Sequence, residues 1–222
     1  KIYMSIKLFL EAVLKFLLGV IMISLLIFVP ANTIKYWNGW LFMGILFIPM
    51  FIVGIVMMIK APNLLKSRLN IKEKEKEQKS VLALSGLMFL VGFIIAGLDF
   101  RFNWLQIPIV VTYIASVVFI ICYILYAIIL KENIYLSRSI KVEKEQIVID
   151  TGLYGIVRHP MYTATLILFL SMPLILGSLI SFFVFLFYPV LIIVRIINEE
   201  KLLEKELEGY VEYKKRVKYR LV

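Results

Sequence analysis

The side chains best suited to chemistry lie together in Asp150-Thr-Gly-Leu-Tyr-Gly-Ile-Val-Arg-His-Pro-Met-Tyr162, which includes the only histidine of the chain. Pro160 disfavours helical geometry at His159 and suits the first position of a helix. The spacing therefore predicts that Arg158 and His159 sit on a bend where the chain enters a helix. The first amides of that helix, with an arginine beside them, would form an anion site. A plainer reading is an interfacial anchor, with Arg158 facing headgroups and Tyr162 in an aromatic belt. A second group is Arg195-Ile-Ile-Asn-Glu-Glu200. Arg195 and Glu199 are four residues apart and share a helix face. Arg195 falls about one turn before a membrane exit, where an ionisable side chain is costly unless paired or functional. Its plainer reading is a snorkelling arginine with a helix-end salt bridge. Asp99 and Arg101 read as a loop pair without chemistry. With His159 and Cys122 the only residues of their types, a protein-built metal site is not expected.

These residues are carried by a chain made for a bilayer. Of its 222 residues, 62% are hydrophobic, and the mean hydropathy is +0.93. A soluble domain is closer to half apolar. Five stretches without Asp, Glu, Lys or Arg approach or exceed the roughly 20 residues a span needs: 16–34, 37–59, 80–98, 102–130 and 159–194. The last is too long for one straight helix and contains Met172-Pro173 and Leu176-Gly177-Ser178, which are turn signals. It reads as a helical hairpin, Pro160 to about Met172 and about Ser178 to Asn198, with a first arm that is short for a full crossing. The expected fold is thus all-α, a polytopic membrane bundle of about six helical segments. Residues 1–131 would form some four N-terminal spans, and residues 132–222 the region carrying the chemistry. The first apolar stretch reads as a retained span, since no small-residue cleavage site stands out.

The net charge of +10 does not point to nucleic acid, because the basic residues lie between apolar spans and no nucleic-acid-binding module is present. The connection 60–79, the connection 131–158 and the tail after Asn198 are rich in lysine and arginine. The two short loops hold only Lys35 and Arg101. Alternation places both termini and both long loops in the cytoplasm. Lys72-Glu-Lys-Glu-Lys-Glu-Gln-Lys79 reads as a solvated linker or helix extension. Leu203, Leu207 and Tyr210 recur at helical spacing in the tail. They predict an amphipathic cytoplasmic helix, broken at Gly209, on the membrane or on the loop before the hairpin.

The block Thr151-Gly-x-Tyr-x-x-Val-Arg-His-Pro-x-Tyr162 resembles the signature of the isoprenylcysteine carboxyl methyltransferase and phospholipid methyltransferase families. So do Arg195-x-x-x-Glu-Glu and Gly209-Tyr-x-x-Tyr-x-x-Arg-Val217. The resemblance runs from about Glu132 to Leu221, with a looser match around Ala96–Phe102. It implies a membrane-embedded site for S-adenosylmethionine without a Rossmann glycine loop, and no G-x-G-x-x-G occurs here. By motif it implies that Gly152, Tyr154, Arg158, His159, Pro160 and Tyr162 belong to the cofactor pocket, with Gln146 a further candidate. Arg195 and Glu199 match the family's arginine and acidic pair, implicated in catalysis and in cofactor or acceptor binding. The cofactor's carboxylate would meet Arg158 and the helix start, and its ammonium Glu199. The acceptor would be lipophilic and arrive from the membrane lipids. Carboxyl methylation of an isoprenoid-like substrate comes first, ahead of a phospholipid amine or a small thiol. A sterol reductase would normally be larger. A non-enzymatic scaffold or small transporter is the reading from another class, but a transporter needs ionisable groups near mid-bilayer, and the centres of the first four spans carry none. The lysine- and isoleucine-rich composition hints at a prokaryotic cell membrane.

Overall fold

A computed structural model of the chain describes residues 6–69, 76–133, 135 and 146–221, with the side chains of 76 and 77 excepted. Among these residues the chain is helical: α1 (Ile6–Ala31), α2 (Trp37–Lys60), α3 (Pro62–Leu69), α4 (Lys76–Phe102), α5 (Ile109–Glu132), α6 (Pro160–Ile175), α7 (Leu179–Phe185), α8 (Tyr188–Glu206) and α9 (Tyr210–Arg216), with a 3₁₀ turn at Gly152–Gly155. Lipid offers the backbone no hydrogen-bond partner, so an apolar segment of this length satisfies itself as a helix. Among the described residues, five segments are long and apolar enough to cross a membrane: α1, α2, Gln78–Phe102, α5 and the combined Leu179–Glu206. Only 6% of the apolar window of α1 is buried. Its outward Leu, Ile and Met side chains find favourable surroundings in lipid, and the chain is an integral membrane protein.

The helices pack in a defined order. α1 lies along α4, α5 along α6, and α7 and α8 on α4. Phe42, Phe93, Phe119 and Phe185 form the aromatic centre of the core. One end of the bundle is tied by buried polar groups. The Tyr36 hydroxyl donates to the Leu176 carbonyl. The Asn38 amide donates to the Ile175 carbonyl at 2.9 Å. Asp99, expected in a loop, lies in the last turns of α4, where its carboxylate accepts from the Leu105 amide and the Ser178 hydroxyl. Burial explains the difference: a carboxylate 3% exposed must be hydrogen-bonded, and the hairpin turn supplies the donor. Arg101 instead lies over the Phe102 ring.

The hairpin departs from expectation in its breaks. α6 continues through Pro173 to Ile175, because a proline removes a single backbone bond and helices in this setting tolerate it. Its length corresponds to about 24 Å, short of the roughly 30 Å of hydrocarbon. Gly177 takes φ +78° at the turn, a conformation side-chain-bearing residues rarely adopt. The second arm is not one helix. It breaks at Leu186–Phe187, one turn before Pro189, which has no N–H to continue the ladder. It then runs past Asn198 to Glu206, so Leu203 belongs to the last membrane helix and not to a separate tail helix. After Gly209 (φ +80°) the short α9 folds back. Its Tyr210 and Tyr213 pack with Leu207 and Val148, so the tail rests on the loop before the hairpin. Of the charge run 72–79, residues 72–75 lie outside the described residues, and Lys76–Lys79 form the start of α4. α3 was not anticipated.

Candidate functional site

At the end of the bundle opposite the Asp99 cluster, the bend before α6, the end of α8 and the tail converge. Val148 and Ile149 lead into the 3₁₀ turn, where Gly152 takes φ +51°. A Cβ there would collide with the carboxylate of Glu132 at the end of α5. The Glu132 carboxylate accepts from the Leu153 amide. Pro160 opens α6 as predicted, and the residue before it is non-helical, with His159 at φ −128°, ψ 60°.

The bend is not left open. The Arg158 and His159 amides donate to the carbonyls of Tyr219 and Arg220 at 2.9 and 3.0 Å. The Arg158 guanidinium, 7% exposed, donates through Nη1 to the Val217 and Lys218 carbonyls and through Nε to Glu200 Oε1 at 2.8 Å. His159 Nε2 is 3.2 Å from the same oxygen. Glu200 Oε2 accepts from Arg220 Nε and Nη2 at 3.0 and 2.9 Å. Arg158, expected as an anion-binding group, lines the cavity with part of its guanidinium engaged by the tail and Glu200. Most of its donors are spent on the tail and Glu200, because a buried guanidinium needs a counter-ion and carbonyls to offset its desolvation.

The second motif meets the first through Tyr162. Its hydroxyl accepts from Arg195 Nε at 2.9 Å and donates to Glu199 Oε2 at 2.5 Å. Arg195 also lies over the Tyr162 ring. Tyr162 thus stands between the two members of the expected helix-end pair. Glu199 and Glu200 are consecutive, so they point about 100° apart around α8. One reaches Tyr162 and the other the buried Arg158.

Gln146, Tyr154, Arg158, His159, Tyr162, Arg195 and Glu199 line one cavity. Gly152 and Pro160 do not; they shape the turn and the helix start behind it. Sequence reasoning missed Asn133, Tyr135, Met161 and Tyr213 in the lining, and Glu200 and Arg220 in the support. The signal available for Glu200 was its place at the end of the Arg195-x-x-x-Glu-Glu block. Among the described residues, the buried Tyr210 hydroxyl has no hydrogen-bond partner, and Tyr210 lines this cavity. Burial raises its pKa, and raises that of Tyr213 to about 12, so both keep their protons at neutral pH. The Tyr213 hydroxyl donates to the Tyr154 carbonyl at 2.8 Å. Among the described residues no cluster of His, Cys, Asp and Glu could hold a metal ion.

The model of the isoprenylcysteine carboxyl methyltransferase (ICMT) family matches residues 109–205 of this chain. The match takes in α5, which carries none of the motif residues, and ends before the Gly209–Val217 segment. No curated protein matches the chain.

Proposed function

We propose that this integral membrane protein is an S-adenosylmethionine-dependent methyltransferase acting on a lipophilic acceptor, with a carboxylate of an isoprenylcysteine-like molecule as the first choice. The reading draws on the match of residues 109–205 to that family. The observation that carries it is the convergence of two motifs, far apart in sequence, on one cavity through Tyr162.

The residues fit the group they would hold. The lining combines one carboxylate, an unpartnered buried hydroxyl on Tyr210, the Gln146 side chain, and apolar and aromatic walls from Ile147, Ile149, Leu203, Leu207 and Tyr154. S-adenosylmethionine would supply an electrophilic methyl group on a sulfonium. Glu199 would be the counter-charge for its ammonium, and the Tyr210 hydroxyl a donor for its carboxylate, the task first expected of Arg158. Arg158, His159 and Pro160 act here as positioning residues. They fix the start of α6 and so the direction of Tyr162.

Arg195 is the group for the acceptor. Its planar fork suits a carboxylate, which is already nucleophilic and needs orientation more than deprotonation. Tyr162 restrains that fork through Nε, which lowers the entropy lost on binding. An amine acceptor would instead need a base, and Glu199 is the carboxylate within reach of Tyr162. The acceptor arrives from the bilayer and the cofactor from the cytoplasm, with both termini cytoplasmic and the protein in a prokaryotic cell membrane.

Purified protein in detergent tests the reading directly. Calorimetry should show binding of S-adenosylhomocysteine. Radiolabelled methyl transfer should favour a prenylated cysteine acid over phosphatidylethanolamine and over an alkyl thiol. Transfer to phosphatidylethanolamine alone would make the amine the acceptor, and absence of S-adenosylhomocysteine binding would overturn the methyltransferase reading.

A further inference from the structure

The last membrane helix carries an apolar stripe out of the bilayer beside the tail. On α8 the exposed apolar residues are Val190, Ile193, Val194 and Ile197, at 51%, 53%, 41% and 37%. With about 100° of turn per residue, all four fall within about 60° of one line along the helix. This is the side of a spanning helix that lipid meets. Lys201 and Lys205 continue the same line and are exposed. They lie about 4.5 and 10.5 Å past Asn198 along the axis, within reach of the headgroup zone. Among the described residues neither has an ion-pair partner. The glutamates beside them are taken, Glu204 by Lys214 and Glu200 by Arg158 and Arg220, and Glu206 turns to the opposite face.

The tail meets α8 on the flank of that line. Arg220 donates to Glu200, the neighbour of Lys201, through Nε and Nη2 at 3.0 and 2.9 Å. Its side chain stays 48% exposed, and among the described residues its Nη1 makes no hydrogen bond, so this cation can take a second anion. Tyr219 precedes it and is 72% exposed, an amphipathic ring of the kind that settles at headgroup level. Leu221 follows it and packs against the core of the bundle. The chain end thus lies at the height where α6 and α8 enter the bilayer. The carbonyls of Tyr219 and Arg220 hold the Arg158 and His159 amides, so whatever fastens this segment to α8 also fastens the bend before α6.

We propose that the end of α8 and the tail form a docking surface for an anionic phospholipid, its headgroup held by Lys201, Lys205 and Arg220 and its acyl chains lying along the apolar stripe. Charge complementarity selects this occupant, since cations that directly continue an apolar strip match an anionic head on apolar chains. A second copy seated on the same stripe would set Lys201 and Lys205 against their own counterparts. The lipid bridges α8 to Arg220 and holds the tail across the bend. The proposal goes beyond the methyltransferase reading and does not depend on it.

Hydrogen exchange of the Arg158 and His159 amides reports how firmly the tail is held, with neither cofactor nor acceptor present. The protein is compared in nanodiscs of phosphatidylcholine and in nanodiscs of equal parts phosphatidylcholine and phosphatidylglycerol, each holding one copy. Exchange should be at least about five-fold slower with phosphatidylglycerol, the gain that one cation near an anionic surface brings. The double variant Lys201→Gln, Lys205→Gln alters only exposed side chains and should lose most of that gain. The double variant Lys60→Gln, Lys131→Gln removes the same charge from the ends of α2 and α5 and should keep it. Inorganic phosphate added to the phosphatidylcholine nanodiscs should slow nothing. Equal exchange in the two lipids, a full gain in Lys201→Gln, Lys205→Gln, the same loss in both double variants, or equal slowing by inorganic phosphate overturns the proposal.

Discussion

Glu199 and Glu200 differ in what surrounds them, and that difference separates structure from chemistry. Glu200 is 2% exposed and binds Arg158, which is also buried. Removing one partner of such a pair leaves an uncompensated buried charge, which costs about 3–5 kcal/mol. Glu200→Gln should therefore lower the melting temperature in detergent sharply, as differential scanning fluorimetry would register. Glu199 faces the cavity and bonds to the Tyr162 hydroxyl. Glu199→Gln should leave the melting temperature near that of the wild type and weaken S-adenosylhomocysteine about ten-fold or more, equivalent to roughly 1.4 kcal/mol. Equal effects of the two substitutions on stability would contradict this division. Arg195→Lys adds a test of geometry. It keeps the charge and the capacity to snorkel but loses the fork, so the protein should fold and transfer little methyl.

At the scale of elements, the bend before α6 depends on a segment far away in sequence. The carbonyls of Val217, Lys218, Tyr219 and Arg220 take donors from Arg158 and His159, so the end of the chain acts as a splint across the bend. A protein ending at Arg216 should keep its membrane helices, with circular dichroism unchanged, yet lose most S-adenosylhomocysteine affinity. Unaltered affinity in that truncation would show that the bend holds itself. The 3₁₀ turn makes a related demand. Gly152 sits in the left-handed region, where a side chain costs about 1–2 kcal/mol, before its encounter with Glu132 is considered. Gly152→Ala should melt at a lower temperature than the wild type.

For the whole molecule, the two ends of the bundle have opposite characters. One end holds neutral or singly charged polar ties, Tyr36, Asn38, Asp99 and Ser178, around short loops. The other carries the basic connections, the cavity and the tail. The charge asymmetry predicts that Lys66→Cys and Lys214→Cys are labelled by an impermeant maleimide from the cytoplasmic side and Arg101→Cys from the outside. The native Cys122 is buried and gives little background. Labelling of Lys66→Cys and Arg101→Cys from the same side would break the proposed alternation of spans.

The membrane-length helices, though not α3 or the break at Leu186–Phe187, could be read from the sequence. Apolar runs of this length have one favourable state in lipid, and Pro160 marks its own helix start by removing a donor that the first turn does not need. Both motifs were visible as residue types at fixed spacing. Their meeting at Tyr162 was not, because nothing in a linear pattern says which hydroxyl comes to lie between Arg195 and Glu199. The roles of the two adjacent glutamates were likewise undecided, since a helix turns neighbours to different faces and only the packing of Arg158 and Arg220 around one of them selects it. Arg158 shows the limit most clearly. Its position beside a helix start predicts an anion site, and the tail then takes up most of its donors. Local sequence determines which segments are helical and where they start, because those preferences are settled within a few residues. Which charges are spent and which remain to bind depends on contacts between segments distant in the chain, and the tertiary fold alone decides that.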